Sequence, residues 1–245
     1  ASFGHWNSPL IETVTVVFML IAGMNFATLF LAVRGRSLLP YVHDPEARYF
    51  LGVTLASVVG IAIYLEVQGV YPDFATAFRH ALFNVVSIAT TTGFASVDYN
   101  AWPIFAPLWM LFLCSFATSA GSTGGGIKMM RAIILYKQVY RELLRAMHPK
   151  AVWPVRVGGV AVSQDILTAV LAFGFAYMCI LVSLTLLMTL SGLDILTAFT
   201  AVVATVNNTG PGLNQVGPAT TYQALTDFQT WVCSFGMLLG RLEIF

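Results

Sequence analysis

The chain alternates long apolar runs with short polar interruptions. Leu10–Val33, Tyr49–Val67, Ile104–Thr118 and Ile166–Leu190 carry almost no charge. Crossing about 30 Å of hydrocarbon takes about 20 consecutive apolar residues. Leu10–Val33 and Ile166–Leu190 clear that length and Tyr49–Val67 just reaches it, so each is predicted as a membrane-spanning helix. Two further apolar segments fall short. A helix from Phe78 to Thr91 would reach only about 20 Å at 1.5 Å per residue, and Ile195–Val206 is shorter still. Each follows an acidic residue suited to a helix N-cap, Asp73 or Asp194.

Charge placement turns these segments into a topology. Ten of the twelve Lys/Arg residues fall in two stretches, Arg34–Arg48 and Lys128–Arg156. The positive-inside rule makes both cytoplasmic. Leu10–Val33 then runs inward and Tyr49–Val67 outward, and an odd number of crossings must separate Val67 from Lys128. Trp102–Gly126 supplies one crossing, so Phe74–Ser96 must enter the membrane and return on the outer side. The same order recurs later, with Ile166–Leu190 running outward, Ile195–Val206 dipping in, and Asp227–Phe245 heading inward. Composition agrees, at 58% apolar and 9% charged, against roughly 25% charged in soluble domains. The fold class expected is an all-α integral membrane protein of repeated helix–re-entrant loop–helix units. There is no initiator Met, and the sequence stops within an apolar segment, so a fragment or missing terminal residues are expected.

Aligned backward from Gly93 and Gly210, the two units match weakly: Ala81, Val85, Val86 and Thr92 stand opposite Ala198, Val202, Val203 and Thr209. The repeat rests mainly on a shared order of elements, and duplicated membrane units commonly surround one substrate path. Both short helices end in polar loops, Thr90-Thr91-Thr92-Gly93 and Asn207-Asn208-Thr209-Gly210. Non-helical backbone at membrane depth persists where it is buried in protein or lines a cavity. Here it can aim successive carbonyl oxygens at an axis and replace a cation's hydration shell. The negative C-terminal ends of the two helices favour a cation. Uncharged ligands, with no acid in either loop, suit a monovalent ion, through the carbonyls of Thr91, Thr92, Asn208 and Thr209. Ordinary polar turns at helix ends are the plainer reading of either loop alone. Asn207-Asn208-Thr209 also spells a glycosylation sequon, set aside because of its depth.

The third crossing is interrupted. Ile104–Ser119 is apolar, then Ser119-Ala120-Gly121-Ser122-Thr123-Gly124-Gly125-Gly126 places four glycines in six residues, a heavy entropic load on any helix. The run is either a flexible gate below the loops or a kinked helix packed on a neighbour. It is not a phosphate-binding loop, because Ile127 separates the last glycine from Lys128. Arg241 is the other anomaly: it either snorkels to the inner face or faces the pore beside the glycine run. Ile127–Met147 continues as a basic helix that could lie on anionic lipid or receive a cytoplasmic partner. Glu12 and Glu66 are expected to be solvated near helix ends, and Cys114, Cys179 and Cys233 to be buried packing residues with no disulfide or metal role. No catalytic constellation is present, His148 with scattered serines being the nearest, so an enzyme is not expected.

Four motifs in order, Ser87–Ser96 (SIATTTGFAS), Ser119–Arg131 (SAGSTGGGIKMMR), Thr205–Leu213 (TVNNTGPGL) and Gly240–Phe245 (GRLEIF), resemble the Trk/Ktr/HKT superfamily, closest to the bacterial Trk-type potassium uptake membrane subunit. The resemblance covers essentially the whole chain and implies a pseudo-fourfold, potassium-channel-like pore of which two of four filter loops lie here. It divides the chain into the inner helix of a second unit (1–40), a third unit (41–150: outer helix 49–67, pore helix and filter 74–96, broken inner helix 103–147) and a fourth (151–245: outer helix 164–190, pore helix and filter 194–213, inner helix 227–245). It implies a selectivity filter of Thr90–Gly93 and Asn207–Gly210, a gating loop at Ser119–Gly126, and a pore arginine at Arg241. It further implies the remaining half of the pore, a homodimer, a cytoplasmic nucleotide-binding (RCK-type) regulatory ring, and a place in the bacterial cytoplasmic membrane among lipid. No nucleic acid and no covalent cofactor are implied; potassium is the transported substrate. Ion- or proton-coupled transport is the alternative to gated conduction. Coupling calls for an intramembrane acid or histidine, and only Arg79 and His80 are ionisable near the filter.

Overall fold

A computed structural model of the chain describes residues 2–148, 151 and 153–242. Lys150 of the second basic stretch and Glu243–Phe245 of the last motif lie outside the described residues. Helices dominate: α1 (Pro9–Gly23), α2 (Phe26–Gly35), α3 (Leu39–His43), α4 (Pro45–Val67), α5 (Phe74–Ala89), α6 (Phe105–Cys114), α7 (Met129–Met147), α8 (Gln164–Leu190), α9 (Ile195–Val206) and α10 (Asp227–Arg241). A two-stranded antiparallel hairpin, β1 (Arg156–Val157) and β2 (Val160–Ala161), turns on Gly158 and Gly159 at φ +58° and +85°.

Among the described residues, α4 and α8 are each long and apolar enough to cross a membrane. Leu10–Val33 is not the one continuous helix expected. It is α1 and α2, bent by 108° at Met24–Asn25. The sequence is apolar on both sides of the break, but Asn25 ends the run chemically: its Oδ1 accepts from the Ala27 amide at 2.8 Å and N-caps α2. The third crossing is likewise helical only to Cys114, and the irregular stretch runs from Ser115 to Lys128 rather than beginning at Ala120. Glu12 is not solvated. It is 4% exposed, and its two carboxylate oxygens accept from Arg79 Nε and Nη2, both at 2.7 Å. That clamp joins α1 to α5. Cys179 is exposed on α8, whereas Cys114 and Cys233 are buried.

Burial separates the two kinds of helix. Residues 85–89 of α5 and 200–206 of α9 are buried on every side, as befits short apolar helices enclosed by protein. Phe83, Ile88, Met110, Leu113, Met188 and Leu213 anchor the shared core around them. By contrast, α8 leaves Phe175, Leu186 and Leu190 exposed along its length, a face suited to hydrocarbon.

Candidate functional site

The two short helices start alike. Asp73 Oδ2 accepts from the Thr76 amide at 2.8 Å, and Asp194 Oδ2 from the Thr197 amide at 3.0 Å. The Thr76 amide and hydroxyl hold the Asp73 carboxyl below its ordinary pKa. The Thr197 side chain and amide do the same for Asp194. With 16 residues, α5 reaches about 24 Å and α9, with 12, about 18 Å.

They also end alike, atom for atom. After α5, the amide of Thr91 donates to Ile88 O at 3.0 Å, Thr92 to Ser87 O at 2.8 Å, and Gly93 to the same Ser87 oxygen at 3.4 Å. After α9, Asn208 donates to Thr205 O at 3.0 Å, Thr209 to Ala204 O at 2.8 Å, and Gly210 to Ala204 O at 3.4 Å. Thr91 and Asn208 are left-handed at φ +55° and +54°, and both glycines have positive φ, +79° and +103°. The repeat that was faint in side chains is therefore plain in the backbone. Among the described residues, no hydrogen bond reaches the carbonyl oxygens of Thr91, Thr92, Asn208 or Thr209.

Behind the first loop, Ser87 Oγ donates to Phe94 O at 2.6 Å, and Asn84 Oδ1 accepts from the Ser96 amide at 3.2 Å. Behind the second, Thr200 Oγ1 accepts from the Leu213 amide at 3.0 Å, and the Tyr222 hydroxyl donates to Gly210 O at 2.7 Å. The loops meet each other. A Cβ built on Gly93 would overlap the Thr209 carbonyl oxygen.

The glycine run lies against both. The Gly125 amide donates to Thr91 Oγ1 at 3.2 Å, and a Cβ on Gly125 would overlap the Asn207 carbonyl oxygen. Gly126, at φ +85°, sits 2.7 Å (Cβ position) from Asn207 Oδ1. Tyr177 and Ser115 hold that Asn207 side chain, at 3.0 and 3.4 Å. The run is also stitched to the α1/α2 break, whose end groups have no helical partner. Ser119 N donates to Gly23 O (2.9 Å), Thr123 N to Ala22 O (3.2 Å), and Phe26 N to Gly121 O (3.2 Å). Arg241 Nη1 donates to Thr123 O at 3.1 Å. Ser119–Gly126, Arg241, Thr90–Gly93 and Asn207–Gly210 thus form one contiguous assembly.

A family profile described as TrkH, cation transport protein, matches residues 1–245. The chain belongs to that family. The Trk system potassium uptake protein TrkH of Salmonella typhimurium is 41% identical over 245 residues, covering 100% of this chain and 50% of the relative. TrkG of Escherichia coli strain K12, also a Trk system potassium uptake protein, is 33% identical over 244 residues, again covering 100% and 50%. The crystal structure of the potassium transporter TrkH from Vibrio parahaemolyticus matches with a TM-score of 0.94 at 41% identity, over 100% of this chain and 52% of that one. The chain spans about half the length of the relatives it matches. That family is one of cation transport proteins rather than enzymes, and α4 and α8 are long and apolar enough for a place in the bacterial cytoplasmic membrane.

Sequence reasoning missed three features that hold the assembly together. Glu46, 2% exposed, accepts from Ala120 N and Met130 N at 2.6 and 3.0 Å. The α1/α2 break supplies carbonyls to the glycine run, and Tyr177 fixes Asn207. A buried acid at a helix start and a tyrosine inside an apolar span carry no periodic signal, but Asn25 within an apolar run was a visible one.

Proposed function

We propose that this chain supplies two quarters of a gated potassium pore and corresponds to the C-terminal half of the complete protein. Thr90–Gly93 and Asn207–Gly210 form half of the selectivity filter, with the carbonyls of Thr91, Thr92, Asn208 and Thr209 as potassium ligands. Ser119–Gly126 is the gate beneath them, steadied by Arg241. The observation that carries this reading is the pair of matching loops, whose backbone frames agree and which meet at Gly93 and Thr209 directly above the glycine run. The unpaired loop carbonyls and the negative ends of α5 and α9 support a cation as cargo. The names of the relatives support potassium.

The division into an inner helix of a second unit (1–40), a third unit (41–150) and a fourth (151–245) follows from the same repeat. The missing half supplies the other two filter loops. A homodimer and a cytoplasmic nucleotide-binding ring belong to this reading too. They are supported by the relatives' description as part of a Trk system and by α7, which exposes Tyr136, Val139, Tyr140 and Leu143 beside its basic residues. Coupled transport has less support. Arg79, one of the ionisable groups near the filter, is committed to Glu12, and His80 Nδ1 lies 3.2 Å from Ser96 Oγ behind the loop.

Reversal potentials of the complete protein in planar bilayers test the proposal. They should follow the potassium gradient alone. A shift imposed by a proton or sodium gradient at fixed potassium would replace gated conduction with coupled transport.

A further inference from the structure

Glu46 occupies the first turn of α4, beside the basic flank that places this end in the cytoplasmic half. A carboxylate in a first turn ordinarily serves its own helix's amides, and in α4 Asp44 does that work, accepting from the Glu46 amide at 2.9 Å. The Glu46 side chain reaches elsewhere. Its Oε1 alone accepts from Ala120 N at 2.6 Å and Met130 N at 3.0 Å. Ala120 leads into the glycine run, and Met130 lies in the first turn of α7, where amides lack helical partners. The two donors therefore bracket the whole of Gly121–Lys128. Lys128, 6% exposed, lies within electrostatic reach of the same carboxylate. An acid this buried survives only with such partners.

We infer that Glu46 is a positioning residue that latches the intramembrane loop. One oxygen holds both the loop's entrance and the start of α7 to α4, so withdrawing the Glu46 side chain frees both ends of the loop together, while displacing α7 breaks the Met130 bond and loosens the loop from that end. A partner pushing on the exposed face of α7 would act on the loop through this oxygen. The inference rests on the reading of Ser119–Gly126 as a gate, but only for its functional consequence.

Ser119 offers a probe of loop release that does not depend on flux. It is 0% exposed, and its Oγ finds no hydrogen-bond partner among the described residues, so replacing the hydroxyl with a thiol forfeits no bond seen there. In the complete protein, with native cysteines replaced, the thiol of Ser119→Cys is reacted with a small charged methanethiosulfonate. Adding Glu46→Ala should raise the reaction rate roughly tenfold or more, the loss expected when two charge-assisted bonds go. Glu46→Gln, which keeps an acceptor oxygen but not the charge, should fall between. A Glu46→Ala rate within about twofold of the parent overturns the latch, whatever the flux. Faster reaction without greater potassium flux supports the latch and overturns the gate assignment instead. Should Glu46→Ala fail to fold, the isosteric Glu46→Gln decides alone: a rise supports the latch, and a parental rate overturns it.

Discussion

Gly93 and Gly210 hold equivalent places in the two loops, yet replacing them should not be equivalent. Both have positive φ, +79° and +103°, so any L side chain costs roughly 1–2 kcal/mol of backbone strain at either site. Gly210 has open space, since a Cβ there meets nothing within 4 Å. At Gly93 the Cβ would overlap the Thr209 carbonyl oxygen and press on Pro211 Cδ at 3.0 Å. That oxygen is backbone and a proposed ligand, so relief must come from moving the filter itself. Gly93→Ser therefore adds a displaced ligand to the strain that Gly210→Ser also carries. If the displacement costs about 1.4 kcal/mol of preference, the potassium-to-sodium permeability ratio falls about tenfold. Bi-ionic reversal potentials of the complete protein measure that ratio. The expectation is a loss of roughly tenfold or more for Gly93→Ser and a smaller loss for Gly210→Ser. An unchanged ratio in Gly93→Ser, or a larger loss in Gly210→Ser, would refute the reasoning.

Other expectations follow from single contacts. Arg241→Ala removes the bond to Thr123 O; at a net worth of about 0.5–1.5 kcal/mol, open probability in single-channel records should rise roughly two- to tenfold. Glu12→Gln removes the charge partner of the Arg79 guanidinium, 28% exposed as a side chain and still bonded to Asn7 Oδ1 at 2.9 Å, and should lower stability by roughly 1–2 kcal/mol after allowance for solvent screening. The double change Glu12→Met with Arg79→Met should melt closer to the parent than Glu12→Gln does. The Asp73 and Asp194 carboxyls are held below their ordinary pKa by their cap bonds. A depressed pKa stabilises the fold above the unfolded value and loses that contribution as pH falls through the folded one. The caps should therefore contribute in full, and without pH dependence, near neutrality; melting temperatures should fall as the pH drops below about 4, less steeply in Asp73→Asn.

How much could be read in advance divides along physical lines. Length alone marked α5 and α9 as helices too short to span, and both are short, buried and capped by Asp73 and Asp194 as expected; their re-entrant course belongs to the proposal. Single polar residues inside apolar runs were the blind spot. Asn25 breaks α1 from α2 because its short side chain can satisfy the new helix's amides, yet hydropathy passes straight over it. Helix α6 stops at Cys114, five residues before the first small polar residue of the run, because the returning chain claims its end: Ile127 N donates to Ser115 O at 2.6 Å and Met129 N to Thr118 O at 2.7 Å. Such long-range bonds leave no local signature. Glu12 and Glu46 were misjudged or overlooked for the same reason. An acid near a helix end reads as solvated until the fold delivers Arg79 to one and two orphan amides to the other.

The two loops are proposed to coordinate a dehydrated potassium ion between them. Anomalous diffraction from rubidium in crystals of the complete protein tests this coordination most directly. Peaks are predicted beside the carbonyl oxygens of Thr91, Thr92, Asn208 and Thr209, weakening as potassium is titrated back. Rubidium bound elsewhere, with nothing between Gly93 and Gly210, would contradict it.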